Sequence, residues 1–191
     1  ITVTATGTDG SGADTVDTIV VTLNETNVND SATEFTEESD TFEYAEGTAA
    51  GETLGTVTAT DADGSNISYS IAADDNVYAA DDAAKATPFY TVDANGNVSL
   101  TAAGAAAFTN DYELDSNSHQ ITVTATGTDG SGADTVDTIV VTLNETNVND
   151  SATEFTEESD TFEYAEGTAA GETLGTVTAT DADGSNISYS I

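Results

Sequence analysis

The chain has 191 residues, of which 36 are acidic against one lysine (Lys85) and one histidine (His119), for a net charge of −35. A nucleic-acid partner needs Lys and Arg against its phosphates, and an anionic membrane surface repels such a chain, so neither is an expected partner. Without cysteine there are no disulfides and no thiolate metal sites, and any nucleophilic dyad rests on His119 alone. The apolar runs are only a few residues long, so this segment is not expected to insert into a membrane, and the export signal of a secreted product is expected elsewhere.

Residues 1–71 recur letter for letter at 121–191, a period of 120 residues and the size of an independent domain. The oxygen-rich stretch NETNVNDSATEF occurs at 24–35 and again at 144–155 and is the natural joint. It divides the chain into the C-terminal part of one module (1–30), a complete module (31–150) and the N-terminal part of the next (151–191). The two flanking pieces are expected to lack strands of their own.

Within 31–150 the strand signal dominates. It begins around TFEYAE (41–46), where Phe42 and Tyr44 share a face, and continues through TLGTVTAT (53–60) and NISYSI (66–71). FYTV (89–92) and NVSL (97–100) follow, joined by a DANGN hairpin turn; TAAGAAAF (101–108) is Ala-rich and suits a short helical turn. HQITVTAT (119–126) and ADTVDTIVVTL (133–143) complete the set. Seven short strands in this span predict an all-β fold, a seven-stranded antiparallel Greek-key sandwich.

Acidic and amide residues cluster at the predicted strand ends: Glu46 in YAEGT, Asp61 and Asp63 in TATDADG, Asp111 and Glu113 in NDYEL, and Asn147, Asn149 and Asp150 in NVNDS. Two unit charges about 4 Å apart repel by about 4 kcal/mol at an effective dielectric near 20, so convergence of several such groups needs a cation or protons. Hard oxygen donors without imidazole or thiolate select calcium, which takes six to eight oxygens in flexible geometry.

These motifs, in this order, are similar to those of a cadherin repeat, in the form found in tandem extender modules of large bacterial (RTX-type) surface adhesins. AEG (45–47) resembles the family's first-strand glutamate motif, and ATDADG (59–64) its DXD motif. DYE (111–113) resembles the DRE motif, and NVNDSATEF (147–155) the DXNDNAPVF connector. The resemblance implies calcium ions held between successive modules. At the joint complete in this chain the ligands would be Glu46, Asp111, Glu113, Asn147, Asn149, Asp150, Asp181 and Asp183, with a carbonyl from Asn186. The earlier joint would contribute Asn27, Asn29, Asp30, Asp61, Asp63 and Asn66.

Several positions depart from the family pattern. Asn147 stands for Asp, Ser31 and Ser151 for Asn, Thr33 and Thr153 for Pro, and Gly127 for the family's final aspartate. Asp129, two residues on, is the candidate substitute. Two ions per joint are therefore expected, a third depending on Asp129.

Other acidic residues carry less. Asp74, Asp75, Asp81 and Asp82, like Glu34, Glu37 and Glu38, read as solvated charges, and His119 as structural. Asp111 and Glu113 as a glycosidase pair would need an aromatic-lined cleft, and the chain has no tryptophan. No enzyme is expected. The reading is a structural extender of a secreted or cell-surface adhesin, whose partners are neighbouring identical modules of the same chain. The alternative is an adhesive module that binds a carbohydrate or ice through the threonines of its TVTAT strands. The adhesion target is not legible.

Overall fold

The computed structural model describes residues 1–8, 10–12, 14–64, 66–107, 111–114, 116–128, 133–184 and 186–191. Alternating β-branched and small residues give strands throughout, with little helix. The N-terminal stretch forms β1 (Thr2–Thr8) and β2 (Asp14–Val20). Two sheets follow, built from β3 (Thr33–Phe35), β4 (Ser39–Ala45), β5 (Thr53–Thr56), β6 (Ala59–Asp61), β7 (Asn66–Ile71), β8 (Tyr90–Val92), β9 (Asn97–Leu100), β10 (Ser118–Thr128) and β11 (Thr135–Thr146). Last come β12 (Glu154–Phe155) and β13 (Ala179–Thr180). The Ala-rich stretch makes a single turn, α1 (Ala102–Ala105), capped where the Thr101 hydroxyl accepts the Gly104 amide at 3.1 Å.

One sheet has the order β4-β11-β10-β7 and the other β5-β9-β8, with β3 paired to β6 alongside. Their inner faces meet in one core, where Ile121, Val123, Ile139, Val141 and Leu143 pack with Val57, Phe89, Tyr90, Val98 and Leu100. A hydrogen bond between the Tyr44 and Tyr90 hydroxyls, 3.1 Å, ties the sheets, and Tyr90 continues to His119 Nδ1 at 3.2 Å, which gives that histidine its structural place.

The sandwich is the expected one, with three differences in its strands. The pairing of β4 with β11 is parallel, not antiparallel, with Phe42 opposite Leu143 and Ala45 opposite Thr146. The run 53–60 is divided: β5 pairs with β9 and β6 with β3, so the chain passes between partners at Val57 and Thr58. A short strand, β3, precedes the first one read from the sequence. Nine strand segments therefore stand where seven strands were expected.

The flanking pieces also differ from expectation. Strands β1 and β2 form a hairpin in the register of their copies in β10 and β11: Thr2 faces Val20 as Thr122 faces Val140. Yet every residue of β1 and β2 is exposed, while alternate residues of β10 are buried. Residues 151–191 repeat the sequence that forms β3 to β7, but among the described residues they hold only β12 and β13. The difference is one of partners, since β4 and β7 exist by pairing with β11 and β10.

The DANGN turn is closed by the Asp93 amide on the Asn97 carbonyl at 3.0 Å and the Gly96 amide on the Asp93 carbonyl at 3.1 Å. Gly96 has φ +82°, and a Cβ there would stand 2.2 Å from the Val57 carbonyl oxygen. Both the backbone conformation and the close approach require glycine. Gly96→Ala is expected to cost about 1–3 kcal/mol or more, read as a lower urea midpoint with unchanged slope.

Candidate metal centre

Because β4 and β11 run in the same direction, they end at the same pole of the sandwich, and Glu46 and the connector leave side by side. The Glu46 amide donates to the Thr146 carbonyl at 3.1 Å, extending the ladder by one step. Its carboxylate, 7% exposed, fastens two other segments: Oε2 accepts the Tyr112 amide at 2.8 Å and Oε1 the Val148 amide. Asn147 Nδ2 donates to Glu113 Oε1 at 2.7 Å. The DYE turn and the connector are thus both tied to the end of β4.

Across the joint, Asp183 Oδ2 accepts the Ser151 amide at 2.8 Å, and the Asp183 amide donates to Asp181 Oδ1 at 3.2 Å. Carboxylate oxygens of Glu46, Glu113, Asp150 and Asp183 consequently lie within 4.8 Å of one another. Four negative groups from four separate stretches of chain converge with no basic side chain; Lys85 is held by Asp74 at 2.6 Å. Lost hydration, then the charges of Glu46 and Asp183, raises the Glu113 carboxyl above its ordinary value. Asp150 is raised by the same causes, with Asp111 adding to them.

Of the other residues expected at this joint, Asp111 occupies the same turn as Glu113 without joining the four-oxygen set, and its charge is felt by Asp150. Asp181 stands behind Asp183, its Oδ2 accepting the Thr153 hydroxyl at 2.6 Å. Asn149 and Asn186 are exposed. At the earlier joint Asp63 repeats the role of Asp183: its Oδ2 accepts the amides of Asp30 at 2.9 Å and Ser31 at 2.6 Å. Asn27 Nδ2 donates to the Asp63 carbonyl at 3.3 Å, buried Asn29 donates to the Ala133 carbonyl at 3.1 Å, and Asn66 opens β7.

Gly127 has a physical explanation. A Cβ there would stand 2.1 Å from Thr33 Oγ1 and 2.6 Å from Asp61 Oδ2. The space that an aspartate would need is filled by a hydroxyl cage: Asp61 Oδ2 accepts Thr33 Oγ1 at 2.8 Å and Thr135 Oγ1 at 3.2 Å, and the two hydroxyls lie 2.6 Å apart. Thr33, where the family has proline, is 2% exposed and supplies one of them. Asp129 lies outside the described residues.

Two other groups had gone unread. Asp137 Oδ2 accepts the Phe35 amide at 2.9 Å and so holds β3 against β11. Glu145 is buried at a core position of β11, and the alternation Ile139, Val141, Leu143, Glu145 was the signal that could have found it. Asp82, read as a solvated charge, instead closes its loop by accepting the Thr87 amide and hydroxyl at 2.9 and 2.7 Å. The TVTAT threonines Thr122, Thr124 and Thr126 are half-buried on the outer face of the sheet.

The structural likeness is to cadherin ectodomains. Over 95% of this chain, extracellular cadherin domains 3 to 6 of protocadherin gamma B2 superpose with a TM-score of 0.64 at 23% identity. Protocadherin gamma B7 domains 3 to 6, described as a cis-dimer, give 0.63 at 23% over 95%, and mouse cadherin-23 domains 22 to 24 give 0.55 at 25% over 95%. The chain spans 42%, 41% and 52% of those three chains respectively. No family model matches the sequence, and no curated protein sequence matches it. The fold is thus that of a cadherin-like repeat.

The cage makes a prediction about stability. Gly127→Ala is expected to lower unfolding free energy by about 1–3 kcal/mol, because Thr33 must give up its place beside Asp61. Equilibrium urea unfolding checks it, and Gly127→Asp should be worse.

Proposed function

We propose that residues 31–150 are one module of a tandem array, that 1–30 and 151–191 belong to its neighbours, and that the array is a structural extender stiffened by calcium at its joints. The complete joint would hold its ions with Glu46, Asp111, Glu113, Asn147, Asn149 and Asp150 on one side and Asp181, Asp183 and the Asn186 carbonyl on the other. Bound calcium supplies the positive charge and the many-oxygen coordination that such a cluster lacks. The observation that carries the reading is the convergence of four carboxylates from both sides of the connector within 4.8 Å, with no basic side chain.

Each side chain has a part in this mechanism. Glu46 draws the DYE turn and the connector together at the end of β4. Asp183, through the Ser151 amide, fixes the start of the next module to the same connector. Without counter-charge the carboxylates repel, and the joint bends to separate them. With it they share ligands across the connector, and the angle between modules is fixed. Two ions are assigned to each joint, and a third depends on Asp129 standing in for the aspartate that Gly127 replaces. β11 alone, at 12 residues, is about 40 Å long, so each module adds on the order of 40 Å to a rod.

The same reading makes the array part of a secreted or cell-surface adhesin, as in the bacterial surface adhesins whose repeats it resembles. Identical copies suit a spacer, which must be long, more than a recognition domain, which need occur only once. The likeness to cadherin ectodomains supports the extracellular setting in which millimolar-range calcium sites are filled.

Calorimetric titration of calcium into the 191-residue chain tests the proposal. About two ions should bind at the complete joint, and Asp183→Ala should weaken them about tenfold or more while leaving the cation-free melting temperature unchanged or raised. No binding heat, or equal affinity in the variant, would remove calcium from the joint.

A further inference from the structure

The inner face of β11 reads Ile139, Val141, Leu143 and then Glu145, a carboxylate at a core position and only 4% exposed. In the parallel pair Glu145 stands opposite Tyr44, and Tyr44 shares its buried face with Glu46, two residues on. The register therefore sets Glu145 one diagonal step from Glu46 on the neighbouring strand, behind the four-carboxylate set and not itself one of the four. Among the described residues, neither Glu145 Oε1 nor Oε2 meets a donor. The Glu145 amide donates to the Asn117 carbonyl at 2.8 Å, and Asn117 Oδ1 is likewise buried without a donor. Asn117 Nδ2 is engaged by the Tyr112 carbonyl at 3.0 Å, on the turn that Glu46 holds.

A buried carboxylate without donors is costly, and hydrocarbon would serve a core position better unless the charge is used. Burial first, and then the charges of Glu46, Asp111 and Glu113, pushes its carboxyl up to about 7. The groups around it are acidic or phenolic: Glu46, Asp111 and Glu113 towards the joint, Tyr44 and Tyr90 towards the core. Nothing among them neutralises it.

We propose that Glu145 is a fifth carboxylate of the joint, a ligand that meets a divalent cation from the core side of Glu46. This rests on the calcium reading of the joint and deepens it. The four carboxylates, of which Glu46 alone is buried, define the mouth of the site, and Glu145 with Asn117 Oδ1 its floor. Calcium takes six to eight oxygens, so two further donors fit the coordination that the mouth begins. The floor also links binding to the module's interior, because Glu145 lies on the strand that carries Leu143, Val141 and Ile139.

The test uses the 191-residue chain, with calcium chloride as the probe. Calcium affinity is measured by calorimetry, and thermal unfolding is followed in chelator, for the unsubstituted chain, Glu145→Gln, Glu145→Asp and Asp183→Ala. Glu145→Gln is expected to lower calcium affinity about tenfold or more, with a cation-free melting temperature equal to or above that of the unsubstituted chain. Glu145→Asp keeps the charge but shortens the reach, so it too should weaken binding; it serves where the glutamine variant does not fold. Unchanged calcium affinity in either variant would overturn the proposal and leave Glu145 a neutral acid filling the core. The two readings fail differently. If the unsubstituted chain takes no calcium, the joint reading falls and this one with it. If it binds and responds to Asp183→Ala but not to changes at Glu145, only the fifth ligand is lost.

Discussion

Glu46 meets the connector because β4 and β11 run in the same direction. An antiparallel pair would put the end of β4 at the start of β11, away from the connector, whereas the parallel register sets Ala45 opposite Thr146. Parallel pairing sends both strands out at one pole. Strand β10, antiparallel to β11, starts at that same pole, which brings the DYE turn there as well. Asp61, Asp63 and the hydroxyl cage lie at the opposite pole, where β6 ends and β11 begins. With the glutamates at one end and the DXD aspartates at the other, the sandwich has the polarity that the proposed head-to-tail array needs. The acid-rich joint then follows from topology as much as from motif.

The chain also contains its own test of what a sequence alone dictates. Residues 31–71 and 151–191 are identical, yet among the described residues the first copy forms five strands and the second only two short ones. Residues 1–30 and 121–150 are identical too, and their hairpin keeps one register whether or not its face is covered. A hairpin is local: its turn and its cross-strand pairs set the register. Strands β4 and β7 are not local, since their partners lie near the far end of the module. Alternation in the sequence marks where a strand can form, and the partner decides whether it does.

The same division explains which parts of the site were legible. The pairs Asp61 with Asp63 and Asp111 with Glu113, and the connector run to Asp150, are short-range patterns at strand ends, and their placement could be read directly. The parallel pairing could not, because nothing in TFEYAE tells which neighbour it will have. Glu145 was missed because in LNET it reads as one more acid before an acidic connector, although its alternation with Leu143 and Val141 puts it on the inner face. The replacement of the family's aspartate by Gly127 was visible, but not the hydroxyls of Thr33 and Thr135, which come together from strands about a hundred residues apart. Those two threonines and the glycine form one packed unit, in which the hydroxyls fill the space that a side chain at Gly127 would need.

In the proposed array, the carboxylates at the joint hold two modules at a fixed angle only when a cation lies among them. Since the chain has no cysteine of its own, spin labels can be placed at Thr138→Cys and Glu172→Cys, both exposed and on opposite sides of the connector. Pulsed electron–electron distance measurements then read the joint directly. The account predicts a broad distance distribution in chelator that narrows to a single maximum on adding calcium, and stays broad in Asp183→Ala. Equally narrow distributions with and without calcium would contradict it, since the joint would then be rigid without its cation.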